Sequence, residues 1–216
     1  VKNLTLIHKY DLRVMLKDFQ LVVNPGDKAV IIGEEGNGKS TLLKWIYCPE
    51  MTEDYVEAEG ERICTGERLG YLPQELSEED REKSVYEFFC EEELFWETDH
   101  RELAKLASDL RVSSDFFYGE QKMGNLSGGE KIKVQMARIL IGQPTILLLD
   151  EPSNDIDIDT LEWLERLIQE TSRAVLYISH DETLIERTAN RVIHLEQLCR
   201  KQKSRYTVAN MTYEEY

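Results

Sequence analysis

The residues most able to do chemistry stand at GEEGNGKS, Gly33 to Ser40, which fits G-x-x-x-x-G-K-[S/T]. Small residues at that spacing let backbone N–H groups close around phosphate oxygens. A lysine adds a point charge at the β and γ positions, and a hydroxyl can ligate Mg²⁺. Gly33, Gly36, Asn37, Gly38, Lys39, Ser40 and Thr41 are therefore candidate phosphate-binding residues, with Ser40 also a candidate metal ligand. Glu34 and Glu35 are unusual beside an anion, and their carboxylates are expected to point to solvent. A second set suited to phosphate is NLSGGEK, Asn125 to Lys131, where Ser127, Gly128 and Gly129 stand just before a long helical pattern.

Acids complete the set. ILLLDE places Asp150 and Glu151 at the carboxyl end of an apolar strand, where ligand sites of open α/β sheets lie. Asp150 can hold Mg²⁺, and Glu151, one residue beyond, can polarise an attacking water as general base. Gln74 in YLPQ and His180 in YISHD each end a strand-like run. A polar side chain at either position can reach a γ-phosphate, a metal or a water, so Gln74 joins Ser40 and Asp150 as a candidate metal ligand.

These groups need a scaffold. LTLI, RVML, FQLVV and KAVII read as strands, with the turn signal NPGD before the last. KSTLLKWIY reads as a helix, and RICTG and RLGYL as short strands. From about 75 to 125 the pattern turns helical, with apolar residues three and four apart in VYEFFCEEELFWE and HRELAKLASDL. Gly128 to Gly142 reads as a long helix. TILLLDEP, AVLYISH and RVIHLE read as strands alternating with the helices TLEWLERLIQET and ETLIERTAN. That alternation predicts α/β, a mostly parallel sheet with helices on both faces. TVANMTYEEY starts a helix-like pattern and stops within it. With the missing initiator Met, this reads as a trimmed chain.

Composition narrows the class. With 216 residues, 41% hydrophobic and 31% charged, the chain reads as globular, one domain with a subdomain. No apolar run approaches a membrane span, and VKNLTLIHKY has no signal-peptide core. Residues 50–125 hold 22 acids and 8 bases, so −14 of the net −16 belongs to the middle segment. That charge argues against broad nucleic-acid binding by this chain alone. The basic cluster RKQKSR, Arg200 to Arg205, reads as a solvated loop. Cys48, Cys64, Cys90 and Cys199 lack metal-ligand spacing and read as buried, reduced thiols of a cytosolic protein.

GEEGNGKS, YLPQ, LSGGEK, ILLLDEP and ISHD, in that order, resemble the nucleotide-binding domain of the ABC ATPases, over nearly the whole chain. The resemblance implies a P-loop NTPase fold (RecA-like) over 1–216, with an N-terminal antiparallel β subdomain and a helical subdomain at about 75–125. It implies ATP and Mg²⁺ as cofactors, ATP hydrolysis, and a second such domain as partner, in the same native chain or a homodimer. The two close head to tail, so that Ser127, Gly128, Gly129 and Glu130 serve the nucleotide held by the other. By the same resemblance Tyr10 in HKYD stacks on adenine, Gln74 is the Q-loop residue, His180 the switch histidine, and Asp157 in SNDID lies at the dimer seam.

Within the family, EPSNDIDIDTLEWLE resembles the EPTNHLD-x-x-x-x-EWLE of the ABC-F subfamily, with Ser153 for Thr and Asp155 for His. LSGGEK followed by ARIL resembles it too. ABC-F proteins are soluble tandem ATPases of translation, including antibiotic ribosome protection. This implies a cytoplasmic first half, with a linker starting at about 200–216 that carries most ribosome contacts. The alternative is the ATP-binding subunit of a membrane transporter, partnered by a transmembrane subunit, whose D-loop is typically S-A-L-D. A degenerate domain that binds ATP without hydrolysis conflicts with the intact Glu151 and His180.

Overall fold

Strands buried on both faces need unbroken apolar runs, and three such runs, KAVII, ILLLD and AVLYI, build the centre of the protein. The computed structural model describes residues 1–198 and 203–213. In chain order the strands are β1 (Lys2–His8), β2 (Val14–Phe19), β3 (Lys28–Ile32), β4 (Val56–Glu61), β5 (Leu69–Leu72), β6 (Ile146–Asp150), β7 (Ala174–Ile178), β8 (Arg191–Leu198) and β9 (Lys203–Ala209). The α-helices are α1 (Lys39–Tyr47), α2 (Glu78–Glu82), α3 (Val85–Cys90), α4 (His100–Leu110), α5 (Gly128–Ile141), α6 (Ile158–Glu170) and α7 (Glu182–Thr188). The large sheet runs β5-β6-β7-β3-β8-β9, parallel except for the antiparallel β8–β9 edge, and a small antiparallel sheet runs β2-β1-β4.

Side chains alternate across the large sheet and feed two cores. Ala29, Ile31, Leu148, Leu176 and Ile178 face α1 and the small sheet, packing with Leu42, Leu43, Leu4 and Phe19. Val30, Leu147, Leu149, Val175 and Tyr177 face the helices, packing with Met136, Leu164, Phe89 and Leu103. The acidic stretch 75–125 contributes helical turns whose apolar side chains join this second core. No helix among the described residues is long and apolar enough to cross a membrane.

Several expected elements are corrected. FQLVV is extended only at Phe19. RICTG is not a strand: the strand lies earlier, at β4, and Arg62 instead turns its guanidinium back onto the Ile46 carbonyl at the end of α1, at 2.7 Å. VYEFFCEEELFWE breaks after Cys90, because Phe95 folds back to stack on Phe89 with ring centroids 5.5 Å apart. Thr207–Ala209 belong to β9 and not to a helix, so the domain body runs past residue 200 where a linker was expected. The second half of the basic cluster, residues 203–205, likewise lies in β9; its first half, residues 200–202, falls outside the described residues, as do Cys199 and residues 214–216. Cys48, Cys64 and Cys90 are free and half-exposed, not buried.

Candidate functional site

Adjacent parallel strands bring their carboxyl ends to one level. Ile31 of β3 and Asp150 of β6 both pair with Ile178 of β7. The phosphate loop begins two residues beyond Ile31, Glu151 follows Asp150, and His180 lies two beyond Ile178. The sheet thus brings Gly33–Ser40, Asp150, Glu151 and His180 together.

The loop turns from β3 into α1 through glycines. Gly33, Gly36 and Gly38 have φ of +147°, +78° and +81°, a region L side chains rarely enter. A Cβ on Gly33 would also lie 2.4 Å from the Leu195 carbonyl oxygen, which accepts a 3.0 Å hydrogen bond from Asn37 Nδ2. Asn37 therefore uses its side chain to pin the loop to β8. Lys39 is buried, and its ammonium donates to the Gly33 and Glu34 carbonyls at 2.7 and 3.0 Å. Burial pulls its pKa down, while Glu151, Glu35 and Asp150 work against that. Glu34 and Glu35 are exposed. Thr41 is half-buried on α1.

Ser40 Oγ donates to Asp150 Oδ1 at 2.9 Å. These are hard oxygen donors, the kind Mg²⁺ takes alongside substrate phosphates. Among the described residues no group of three or more His, Cys, Asp or Glu is placed to hold a metal ion. Burial pushes the Asp150 carboxyl above the usual aspartate range, against the opposing pull of Ser40, Lys44, Tyr71 and Lys39. Gln74 is exposed just after β5.

Glu151 has a left-handed φ of +50° and is almost wholly buried. Its N–H donates to the Ile178 carbonyl at 3.1 Å, which fixes that turn. Oε1 lies 3.1 Å from His180 Nε2, while Oε2 is buried without a hydrogen-bond partner among the described residues. Burial pushes the Glu151 carboxyl upward; Asp150 adds to this, and His180 and Lys39 oppose it. A buried carboxylate with one unpartnered oxygen and a histidine beside it is chemically able to accept a proton.

Tyr10 is 79% exposed in the β1–β2 loop, with its ring edge-on to His8 at 5.6 Å. The end of this loop lies over the phosphate loop: a Cβ on Gly36 would come 3.7 Å from Arg13 Nη1, and one on Gly38 3.1 Å from Met15. The other candidates form a separate cluster. Ser127 caps α5 in a reciprocal box with Glu130, whose Oε2 accepts from the Ser127 N–H at 2.8 Å. Asp157 caps α6 by accepting from the Thr160 N–H at 2.8 Å. A Cβ on Gly128 would meet the Asp155 carbonyl oxygen, and one on Gly129 the Thr160 hydroxyl. Tyr71, whose hydroxyl reaches Asp150, was not among the sequence candidates; its only signal was an aromatic with a polar tip in a short buried strand.

A family model described as "ABC transporter" matches residues 16–154. The chain belongs to the ABC transporter family. It is an ABC-type ATPase domain with the P-loop fold of that family. The cassette is 33% identical over 202 residues to "ABC transporter F family member 5" of Arabidopsis thaliana, covering 92% of this chain and 28% of that protein. It is 28% identical over 221 residues to "Energy-dependent translational throttle protein EttA" of Haemophilus influenzae, covering 86% and 39%. The chain thus spans well under half the length of these curated relatives. Among solved structures it resembles a dimeric ATP-binding cassette in a post-hydrolysis state bound to ADP and Pi. That likeness has a TM-score of 0.68 and 23% identity, covering 90% of this chain and 93% of that one.

Proposed function

We propose that the cassette is one ATP-hydrolysing half of a cytoplasmic ABC-F type protein, which closes head to tail on a second ABC domain and acts on the ribosome. The observation that carries hydrolysis is the Glu151–His180 pair at the end of β6, beside Lys39. In this reading Glu151 Oε1 takes a proton from the water that attacks the γ-phosphorus, as the bond to the β–γ bridging oxygen breaks. His180 Nε2 orients that carboxylate. Lys39 leaves the loop carbonyls for the phosphate oxygens, and Tyr10 covers the base. Mg²⁺, when bound at Ser40 and Asp150 with Gln74 at the rim, supplies neutralisation of phosphate charge.

Head-to-tail closure is supported by the separation of the two glycine clusters. Across the chain, the atoms that a Cβ on Gly128 or Gly129 would meet belong to Asp155, Asp157 and Thr160 and not to the phosphate loop. The ribosome arm is supported by the EPSNDIDIDTLEWLE stretch and by relatives such as the translational throttle protein. The test is sedimentation of the full-length protein carrying Glu151→Gln with ribosomes, with and without Mg–ATP. That variant is expected to bind ATP, not turn it over, and pellet with ribosomes only when ATP is present. Normal turnover would overturn the role of Glu151, and failure to pellet would overturn the ribosome arm.

A further inference from the structure

The acid that ends β6 is held from two sides. Ser40 occupies one carboxylate oxygen, and the Tyr71 hydroxyl donates to the other, Oδ2, at 3.3 Å. Tyr71 reaches it from the neighbouring strand: the β5–β6 register pairs Tyr71 with Leu148, two residues before Asp150 and therefore on the same face. The phenol ring has little freedom, because it stacks on Tyr47 at the end of α1, with centroids 5.1 Å apart and ring planes 26° apart. Asp150 is 1% exposed, so protein groups and not water set the direction of its lone pairs. Gln74 follows Tyr71 by three residues, in the bend just beyond β5.

We propose that Tyr71 is a positioning residue for the metal-holding acid: its hydroxyl locks the Asp150 carboxylate in the orientation that offers Ser40 and Asp150 together to a Mg²⁺ ion. The proposal rests on the nucleotide-site reading above. Tyr71 does not touch the metal; it acts through Asp150, as partners of ligating carboxylates do elsewhere.

The test is the free Mg²⁺ concentration needed for half-maximal binding of a fluorescent ATP analogue to the full-length protein. Tyr71→Phe keeps the ring on Tyr47 and removes only the hydroxyl. It is expected to raise that requirement about tenfold or more, with metal-free nucleotide affinity and Tm little changed. An unchanged Mg²⁺ requirement overturns the proposal, whether or not Tm falls, since a fall in Tm alone marks a merely structural hydroxyl. Asp150→Asn separates the two levels. If it leaves the Mg²⁺ requirement unchanged, the metal-site reading fails and takes this proposal with it. If it raises the requirement steeply while Tyr71→Phe does not move it, only the role of Tyr71 fails.

Discussion

The two glycine loops of this cassette need glycine for different reasons. In Gly33–Ser40 the demand common to Gly33, Gly36 and Gly38 is conformational, a positive φ; Gly36 has φ of +78° and a Cβ there would meet nothing closer than 3.7 Å, while Gly33 is short of space as well. In Ser127–Glu130 the demand is for space. Gly128 and Gly129 lie in the first turn of α5 without positive φ, but a Cβ on Gly128 would lie 1.8 Å from the Asp155 carbonyl oxygen. Asp155 is itself held at φ +57°, which turns that carbonyl into the approach. The first loop therefore shapes a backbone hollow suited to an outside anion. The second lets two helix starts of one chain touch, which fixes where their N–H groups sit relative to each other.

The sharpest way to break this comparison is to remove the first loop's buried cation. Lys39→Ala is expected to weaken ATP binding by about a hundredfold or more, as the loss of two charge-assisted hydrogen bonds implies. Fluorescence titration checks it, and undiminished affinity would remove the loop's claim on phosphate. Next come the glycines, where a crossed result is expected. Gly128→Ala should cost roughly 1–3 kcal/mol of stability from overpacking, read by urea unfolding, and leave the chain's own ATP affinity in place. Gly36→Ala should cost roughly 1–2 kcal/mol from the left-handed backbone and also weaken ATP binding. If Gly128→Ala harmed ATP binding as much as Gly36→Ala, the division of labour between the loops would collapse.

The parts legible in the sequence were those whose physics is local. KAVII, ILLLD and AVLYI announce themselves because strands covered on both faces are apolar along their length, with polar residues only at their ends. The phosphate loop is legible because backbone conformation restricts its residue types. Strand β4, VEAEGE, was missed because its two apolar residues, Val56 and Ala58, give too short a pattern and only Val56 is buried; its pairing with β1, Ala58 opposite Leu6, is what makes it a strand. Strand β9 is set in the same way by its neighbour β8. Tyr71 escaped for a related reason, since its meaning lies sideways, across β5 to β6. The spacing S-x-x-E at Ser127 and at Ser84 went unread in the sequence, yet both stretches form reciprocal helix caps.

The carboxylates sharpen the contrast by the smallest expected effect, and their signs are opposite. Burial holds Glu151 and Asp150 above their ordinary range, so the folded state resists their charge. Hydrogen bonds from Thr160 and from Ser127 hold Asp157 and Glu130 below theirs, so the folded state favours that charge. By linkage, the raised groups weaken folding at neutral pH, and the penalty lifts as pH falls through their folded pKa values. The lowered groups give stability that is complete above the unfolded values, about 3.9 to 4.3, and is lost as pH falls through the lower folded ones. Glu151→Gln is therefore expected to unfold at a slightly higher temperature than wild type at pH 8, with the margin closing as pH falls through the raised folded value. Asp157→Ala should unfold at a lower temperature at pH 8, and that deficit should persist until pH passes below the ordinary aspartate value. Matched melting curves down the pH series check both. A Glu151→Gln variant less stable than wild type at pH 8 would mean that the His180 contact outweighs burial, and that the acid beside the first loop is held by its partner much as Glu130 and Asp157 are by theirs.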